Sequence, residues 1–164
     1  MKRWMFPAVA SLALLLPCAA LPASDGAPGA NQSPVPGPAP LVVVHRSPTC
    51  GCCMNWVAHL RDAGFEVEVR NEADMRAVKT RLGVPDDMRS CHTAEVDGYF
   101  VEGHVPAADI KRLLAERPSA QGLAVPGMPL GSPGMEHPAG HVQPYDVMLV
   151  DADGNRVHSS HGQP

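Results

Sequence analysis

Hydrophobic and polar residues along the chain follow patterns that predict alternating strands and helices from residue 41 onward. Residues 41–45 form a continuous apolar, mostly β-branched run, which is typical of a strand buried on both faces. Residues 65–69 alternate apolar and polar side chains, as a half-buried strand does. A helix that ends at Ala63 is expected between these strands, and its apolar face carries Cys53, Trp56, Val57 and Leu60. A second helix is expected to end at Gly83, with Met75, Val78 and Leu82 on its apolar face.

The second half of the chain predicts a hairpin, a helix and further strands. Asp97-Gly98 separates the runs 93–96 and 99–101, which is a strong hairpin signal. Pro106 and Pro118 bound a helix with Ile110, Leu113 and Leu114 on one face, and 145–150 reads as a strand with a short partner at 156–158. Residues 122–144 contain five prolines and predict a long Pro/Gly/Met loop without regular structure.

The predicted element order places the domain in the α/β (α+β) class. A helix joining the first two strands implies a parallel pair, and the later hairpin is antiparallel. A mixed β-sheet flanked by helices follows, and the thioredoxin-like fold is a sheet of this kind.

The N-terminal region predicts export. Lys2 and Arg3 precede a short apolar run and small residues near Ala20, which together resemble a secretory signal peptide over residues 1–20. Residues 21–40 are rich in Pro, Gly, Ala and Ser and predict a flexible linker, so the folded domain is expected at 41–164. Signal removal would change the net charge from −4 to −6 and leave four cysteines and no membrane span.

Composition excludes two broad classes of protein. A charged fraction of 18% with 45% hydrophobic residues is close to the globular average, so the chain is not wholly disordered. There are 13 basic residues against 17 acidic ones, so no basic surplus exists to neutralise a nucleic acid backbone.

The stretch Cys50-Gly51-Cys52-Cys53 carries the most specific chemistry. It lies between a buried strand and a helix, where the positive helix N-terminus favours thiolates. Cys50 and Cys53 have the C-x-x-C spacing of dithiol redox sites, whereas the crowding created by Cys52 suits a soft metal. Two alternatives remain for these cysteines. One is a structural disulfide, which an oxidising compartment allows, and the other is a zinc site.

Residues elsewhere supply further candidate ligands. Cys91 is the expected fourth thiolate, and His92 beside it is either a ligand or an ordinary polar loop residue. His104, just before a helix, is either a structural hydrogen-bonding residue or a secondary ligand. Two methionines, Met128 and Met135, lie close in sequence to His137 and His141. They are either soft ligands for copper or apolar side chains that cover the core and fill irregular gaps. Met54, Met75 and Met148 are expected in the core, and His158 and His161 in a C-terminal tail with weak, adventitious metal binding.

Several strings together resemble the CopG-like family of exported copper-resistance proteins, long known as a domain of unknown function. The resemblance covers roughly residues 41–153 and depends on four sets of residues: Cys50-Gly51-Cys52-Cys53; Cys91-His92-Thr93-Ala94; Glu102-Gly103-His104-Val105-Pro106; and Gly122–Pro129 followed by Gly131–Glu136. It implies a thioredoxin-like fold that binds copper, several ions of it, through clustered cysteines. It also implies a periplasmic role in copper tolerance. Interconversion of Cu(I) and Cu(II) is compatible with that role.

We therefore expect a periplasmic copper-binding protein that works with copper ions and other periplasmic copper-handling proteins. Cys50, Cys52, Cys53 and Cys91 are the expected primary ligands, and His104, His92 and Met128 the secondary ones. The rival hypothesis is a thiol–disulfide oxidoreductase in which Cys50 is the nucleophile and Cys53 the resolving thiol. Cys52 argues against this rival, because a third adjacent thiol would scramble the exchanging disulfide.

Overall fold

The computed structural model describes residues 39–163, so the predicted signal peptide and residues 21–38 of the predicted linker lie outside the described residues. The elements are β1 Leu41–Arg46, α1 Gly51–Asp62, β2 Glu66–Asn71, α2 Met75–Arg81, β3 His92–Val96, β4 Tyr99–Glu102, α3 Ala107–Glu116, β5 Gly122–Ala124, β6 Tyr145–Val150 and β7 Arg156–His161. A single 3₁₀ turn, Asp86–Met88, precedes β3 within these residues. The α+β class predicted from the sequence is confirmed.

All seven of these strands form one mixed sheet in the order β2-β1-β3-β4-β5-β6-β7. β1 and β2 are parallel and joined by α1, whereas β3 is antiparallel to both β1 and β4. This arrangement is consistent with the thioredoxin-like fold expected from the sequence. β5 is parallel to β4, and β6 and β7 continue the sheet as antiparallel strands.

The main core lies on the face of the sheet that α1 and α3 cover. Alternation along the strands sends every second side chain to this face, and the two helices contribute their apolar stripes. The largest fully buried side chains there include Trp56, Leu60, Ile110, Leu113, Leu123 and Leu149.

The opposite face of the sheet is partly covered by α2 and carries a second, smaller cluster. Its buried members are Val84, Phe100, Ala124 and Val150. The Asp74 carboxylate caps α2 by accepting a hydrogen bond from the Ala77 amide at 3.1 Å, which satisfies one free donor of the first turn. Lys79 reaches from this helix to the buried carboxylate of Glu102.

The structure corrects the predicted irregularity of residues 122–144 at its start. Gly122–Ala124 form β5, because these residues pair with both β4 and β6. A Cβ at Gly122 would lie 2.1 Å from the Phe100 carbonyl oxygen, so only glycine allows this close approach. Pairing between distant strands was not evident from the local density of prolines.

Two further expectations about position were wrong. His161 does not lie in a tail beyond the last strand, because β7 extends as far as this residue. Met54 is 38% exposed and not part of the core, because it lies on the outer side of α1. Met75 and Met148 are only partly buried.

Within residues 39–163, no helix combines the length and the apolar character that crossing a lipid bilayer requires.

Candidate metal centre

The turn between β1 and α1 holds three cysteines at the start of the helix. The Cys50 amide donates to the Ser47 carbonyl at 3.1 Å, which closes the turn. The Arg46 guanidinium donates to the carbonyl oxygens of Pro48 at 2.9 Å and of Cys50 at 2.8 Å. Arg46 therefore fixes the turn from the end of β1, a role that sequence reasoning missed.

The fold brings Cys91 to the same place as this turn. The sulfur of Cys53 lies 3.9 Å from that of Cys91, and the sulfurs of Cys50 and Cys52 are 3.6 Å apart. The four cysteines can each offer a sulfur ligand, and all four sulfurs lie within 4.8 Å of one another. The sulfurs from the two stretches of chain thus converge on one spot, which could hold a metal ion.

Two of these cysteines form a disulfide in the structure. Cys50 is bonded to Cys53, while Cys52 and Cys91 are free and partly buried. Reduction of this bond would release the thiols of Cys50 and Cys53. A centre that uses all four sulfurs as thiolates requires this bond to be reduced first.

Two histidines complete a second group of ligands around Cys91. The Cys91 sulfur lies 3.1 Å from Nδ1 of His92 and 3.2 Å from Nε2 of His104. Cys91, His92 and His104 can each present one donor atom within 4.8 Å of the others. Because Cys91 belongs to both groups, the two sets of ligands form one region, which we call the sulfur–histidine region.

His104 is held in the tautomer that suits a metal ligand. Its Nδ1 lies 2.8 Å from the Pro133 carbonyl oxygen, which can only accept, so Nδ1 carries the proton and Nε2 presents a lone pair towards Cys91. Burial lowers the pKa of His104, which favours this neutral form. The loop carrying Pro133 packs closely on α1: a Cβ at Gly134, where φ is +85°, would lie 2.7 Å from the Trp56 amide nitrogen.

His92 is buried and its orientation is set by aromatic packing. Its ring lies 4.4 Å from the Trp56 ring and 5.0 Å from that of His104, measured between centroids. Burial, with a smaller effect of His104, lowers the pKa of His92 well below its ordinary value. Its Nε2 has no hydrogen-bond partner among the described residues. A buried nitrogen left without a partner is uncommon in proteins and fits a position beside a metal.

The Cys91 thiol is protonated at neutral pH. Burial, followed by the nearby Cys52, raises the pKa of Cys91 to about 11. A metal that binds the Cys91 sulfur must displace its proton, so binding is coupled to proton release.

A buried network on the other face of the sheet supports the loop that carries Cys91. Glu102 is fully buried, and its carboxylate accepts hydrogen bonds from Lys79, from the Ser90 amide and from the Thr93 hydroxyl. Ser90 and Thr93 flank Cys91 and His92, so Glu102 fixes both ends of this short segment. Sequence reasoning missed this role, although Glu102 lies within the string that carries His104.

The remaining sequence candidates lie in the long loop and β7. Met128 is 52% exposed and lines a surface cavity together with Met88 and Met148, while Met135 is partly buried. The rings of His137 and His141 are neighbours, with centroids 5.0 Å apart. His158 and His161 contact Asp109 instead, at the far edge of the sheet.

Comparison with known proteins identifies the family. A solved structure described as "Copper resistance protein copG- Form 2" is 51% identical and superimposes with a TM-score of 0.72, over 75% of this chain and 98% of that chain. The chain belongs to the CopG family of copper-resistance proteins. A second CopG structure, described as Form 1, is 50% identical with a TM-score of 0.72, over 77% of this chain and all of that one.

A family model also matches part of the chain. The model described as "Protein of unknown function, DUF411" matches residues 88–135, which include Cys91, His92, His104 and Met128. No curated protein matches the chain. The CopG relatives and the group of cysteines able to hold a metal together indicate a copper-binding protein.

Proposed function

We propose that this protein binds copper ions in the periplasm, and thereby contributes to copper resistance, through the thiolates of Cys50, Cys52, Cys53 and Cys91. The observation that carries the proposal is the convergence of four sulfur atoms within 4.8 Å of one another. Sulfur ligands select soft ions such as Cu(I). Copper is the metal that the names of the related structures mention. His104 and His92 would complete the coordination.

The chemistry of the donor set fits copper better than a closed zinc site. Structural zinc usually draws on two separated chelating pairs, whereas three of these cysteines come from one short turn. Crowded sulfurs can bridge neighbouring ions, so a site for more than one copper ion is consistent with the geometry. The lowered pKa values of both histidines keep their rings neutral, as ligands must be.

The periplasmic location depends on residues outside the described part of the chain. The basic residues Lys2 and Arg3, the apolar run after them and the small residues near Ala20 support export. N-terminal sequencing of the protein recovered from cells is expected to begin near Leu21. A mature protein that still begins at Met1 would contradict this part of the proposal.

The test is a count of bound copper under anaerobic conditions. The reduced full chain is titrated with Cu(I) against a chromogenic chelator, and the unreduced chain is titrated in parallel. We expect less bound copper in the unreduced chain, because the Cys50–Cys53 disulfide removes two ligands, and less in reduced Cys52→Ser and Cys91→Ser. Thr49→Ala, an exposed change on the same turn, should bind as the unmodified chain does. Equal stoichiometry in all the variants would refute a shared centre.

A second candidate function is favoured by one observation, the disulfide between Cys50 and Cys53. A thiol–disulfide oxidoreductase would attack its substrate with Cys50 and resolve the mixed disulfide with Cys53. The metal-free reduced chain can be assayed for insulin reduction. Sustained turnover that survives Cys91→Ser would favour this function over copper binding.

The two functions can also be combined in copper redox chemistry. When the Cys50 and Cys53 thiols form a disulfide, they release two electrons and two protons. Two Cu(II) ions would each take up one electron and become Cu(I), so the step balances without another reactant. The reduced chain mixed with two equivalents of Cu(II) should then lose the Cu(II) electron paramagnetic resonance signal while free thiols disappear.

A further inference from the structure

Three methionines from distant parts of the chain converge on one surface cavity. Met88, Met128 and Met148 line a cavity of about 500 Å³. Met88 ends the 3₁₀ turn, Met128 lies in the Pro/Gly-rich loop and Met148 is on β6. Since these residues are far apart in sequence, only the tertiary fold brings them together.

Local structure explains how Met148 and Met128 come to line this cavity. Val147 and Leu149 point into the main core, so Met148 between them leaves on the opposite face of the sheet. The β6–β7 ladder is irregular beside Val147 and Met148, but the extra residue, His158, belongs to β7, so β6 keeps its alternation. Pro126 and Pro129 surround Met128 in the wall of the cavity and keep the chain out of regular structure.

The cavity offers ligands for a soft monovalent cation. A thioether has no proton to lose and binds Cu(I) in preference to hard cations. The three rotatable bonds of methionine allow the sulfurs to close around an ion, although the cavity is larger than an ion needs. Among residues 39–163, Asp146 is the one charged residue that lines the cavity, and its carboxylate favours a cation there.

The cavity and the sulfur–histidine region share a short segment of chain. Met88 precedes Cys91 by three residues, and three residues span at most about 11 Å. The Ser90 hydroxyl donates a hydrogen bond to the Gly127 carbonyl oxygen, which ties the loop carrying Met128 to the residue next to Cys91. Only a short segment of chain would therefore separate an ion held by the methionines from Cys91.

We propose that Met88, Met128 and Met148 form a separate thioether site that takes up one Cu(I) ion before the ion reaches Cys91. This proposal rests on the proposed copper-binding function and assigns Met128 to this site instead of to the thiolate centre. Transfer exchanges thioether ligands for a thiolate, and the Cys91 proton leaves to solvent. Copper stays Cu(I) throughout, so no other reactant is needed.

The test uses Ag(I), a soft monovalent ion without redox chemistry in water, as the probe. The full chain is labelled with ¹³C at the methionine methyl groups, and single Met→Leu variants assign the signals. In unreduced Cys52→Ser/Cys91→Ser protein, we expect the signals of Met88, Met128 and Met148 to shift together and to saturate with added Ag(I). Met54, which is on the outer side of α1, is the internal control and should not shift.

Variants keep the proposal falsifiable if the triple Met→Leu protein does not fold. Met128→Leu changes a half-exposed side chain and should fold, and it should abolish the Ag(I) shifts of Met88 and Met148. Shifts of Met128 alone, equal shifts of Met54, or no shifts at all would overturn the proposal. Copper counted on the reduced, otherwise unmodified chain separates the two hypotheses: retained Cu(I) binding without methionine shifts overturns only the thioether site, whereas loss of Cu(I) binding overturns the proposed function.

Discussion

Two regions of the protein gather histidines around one side chain, the partly buried Cys91 in the first and the buried Asp109 in the second. In the first, His92 and His104 each place a ring nitrogen within 3.2 Å of the Cys91 sulfur. In the second, the Arg112 guanidinium donates to Nε2 of His158 at 2.9 Å, and Nε2 of His161 lies 2.8 Å from the Asp109 carboxylate. The residue types are similar, but their hydrogen bonds are not.

The difference shows that a histidine is a candidate ligand only where the protein leaves its lone pair free. At His158 the lone pair of Nε2 accepts from Arg112. At His161 the Nε2–H faces the Asp109 carboxylate, which leaves a lone pair on Nδ1, but His161 belongs to no group of three possible metal ligands among the described residues. At His104, by contrast, the Pro133 carbonyl occupies the other ring nitrogen, so Nε2 remains available. The Asp109 cluster is therefore read as a structural contact between α3 and β7, and the Cys91 cluster as a candidate metal centre.

The two regions also differ in what holds them in place. The Asp109 cluster is made of side chains that bind one another directly, with Tyr145 stacked on His161. The Glu102 carboxylate binds the Cys91 segment through the Ser90 amide and the Thr93 hydroxyl. These hydrogen bonds leave the Cys91 sulfur and the rings of His92 and His104 available to a metal ion. Three predictions test this comparison, from the largest expected effect to the smallest.

The largest effect is expected from removing the partner of Glu102. Lys79→Met leaves a buried carboxylate without its cation, which should lower the free energy of unfolding by about 3–5 kcal/mol. The matched control is Arg70→Met, which breaks the solvent-exposed pair with Glu68 and should change the free energy of unfolding far less. Urea unfolding of the metal-free protein measures both.

Adding Glu102→Gln to Lys79→Met removes the unpaired charge and should restore part of the lost stability. The amide oxygen of glutamine can still accept from the Ser90 amide, and its NH2 group can donate to the Thr93 hydroxyl, which Lys79 no longer occupies in this variant. If the double variant is as unstable as Lys79→Met, the unpaired charge is not the cause.

A smaller effect is expected on copper affinity from the histidines. His104→Gln removes the nitrogen beside Cys91 and should weaken Cu(I) binding by the reduced chain about 10–100-fold, as loss of groups at metal sites commonly does. His161→Gln, in the Asp109 cluster, should leave the affinity unchanged. Competition with a Cu(I) chelator gives both values, and an equal loss in both variants would remove the distinction between the two clusters.

The smallest effect concerns His59, whose nitrogen is also engaged by the protein. The Ala107 amide, at the start of α3, donates to Nε2 of His59 at 3.0 Å, so this nitrogen must be unprotonated. Burial lowers the pKa of His59 from its ordinary value near 6.5. The unfolded chain then binds more protons than the folded one, and this contribution is complete above pH 6.5 and lost as the pH falls below it.

Unfolding of the metal-free protein by urea at pH 7.5 and pH 5.5 checks this sign. His59→Ala should lose about 1 kcal/mol at pH 7.5, as expected for a lost helix cap, and less at pH 5.5. His59→Gln keeps an acceptor that does not titrate and should reduce the dependence on pH. His141→Gln, an exposed change, serves as the control. A steeper dependence in His59→Gln than in the unmodified chain would contradict the assignment.

Local patterns in the sequence predicted most elements of the fold. The Asp97-Gly98 hairpin formed as expected, because both residues adopt the positive φ that this turn requires. The cysteine turn lies at the start of α1, as the strand and helix patterns on either side of it indicated. β5 was missed because its three residues are strand only by virtue of pairing with β4 and β6.

The sequence by itself determined the kinds of donor atoms in this protein and the elements that carry them, because periodicity, turn residues and cysteine spacing are properties of neighbouring residues. Only the tertiary structure decided which donors meet. Cys91 is 38 residues from Cys53, and no local pattern states that their sulfurs lie 3.9 Å apart. It also decided which nitrogen of a histidine stays available, because that depends on hydrogen bonds with residues far away in the chain, such as the one that His104 Nδ1 donates to the Pro133 carbonyl oxygen.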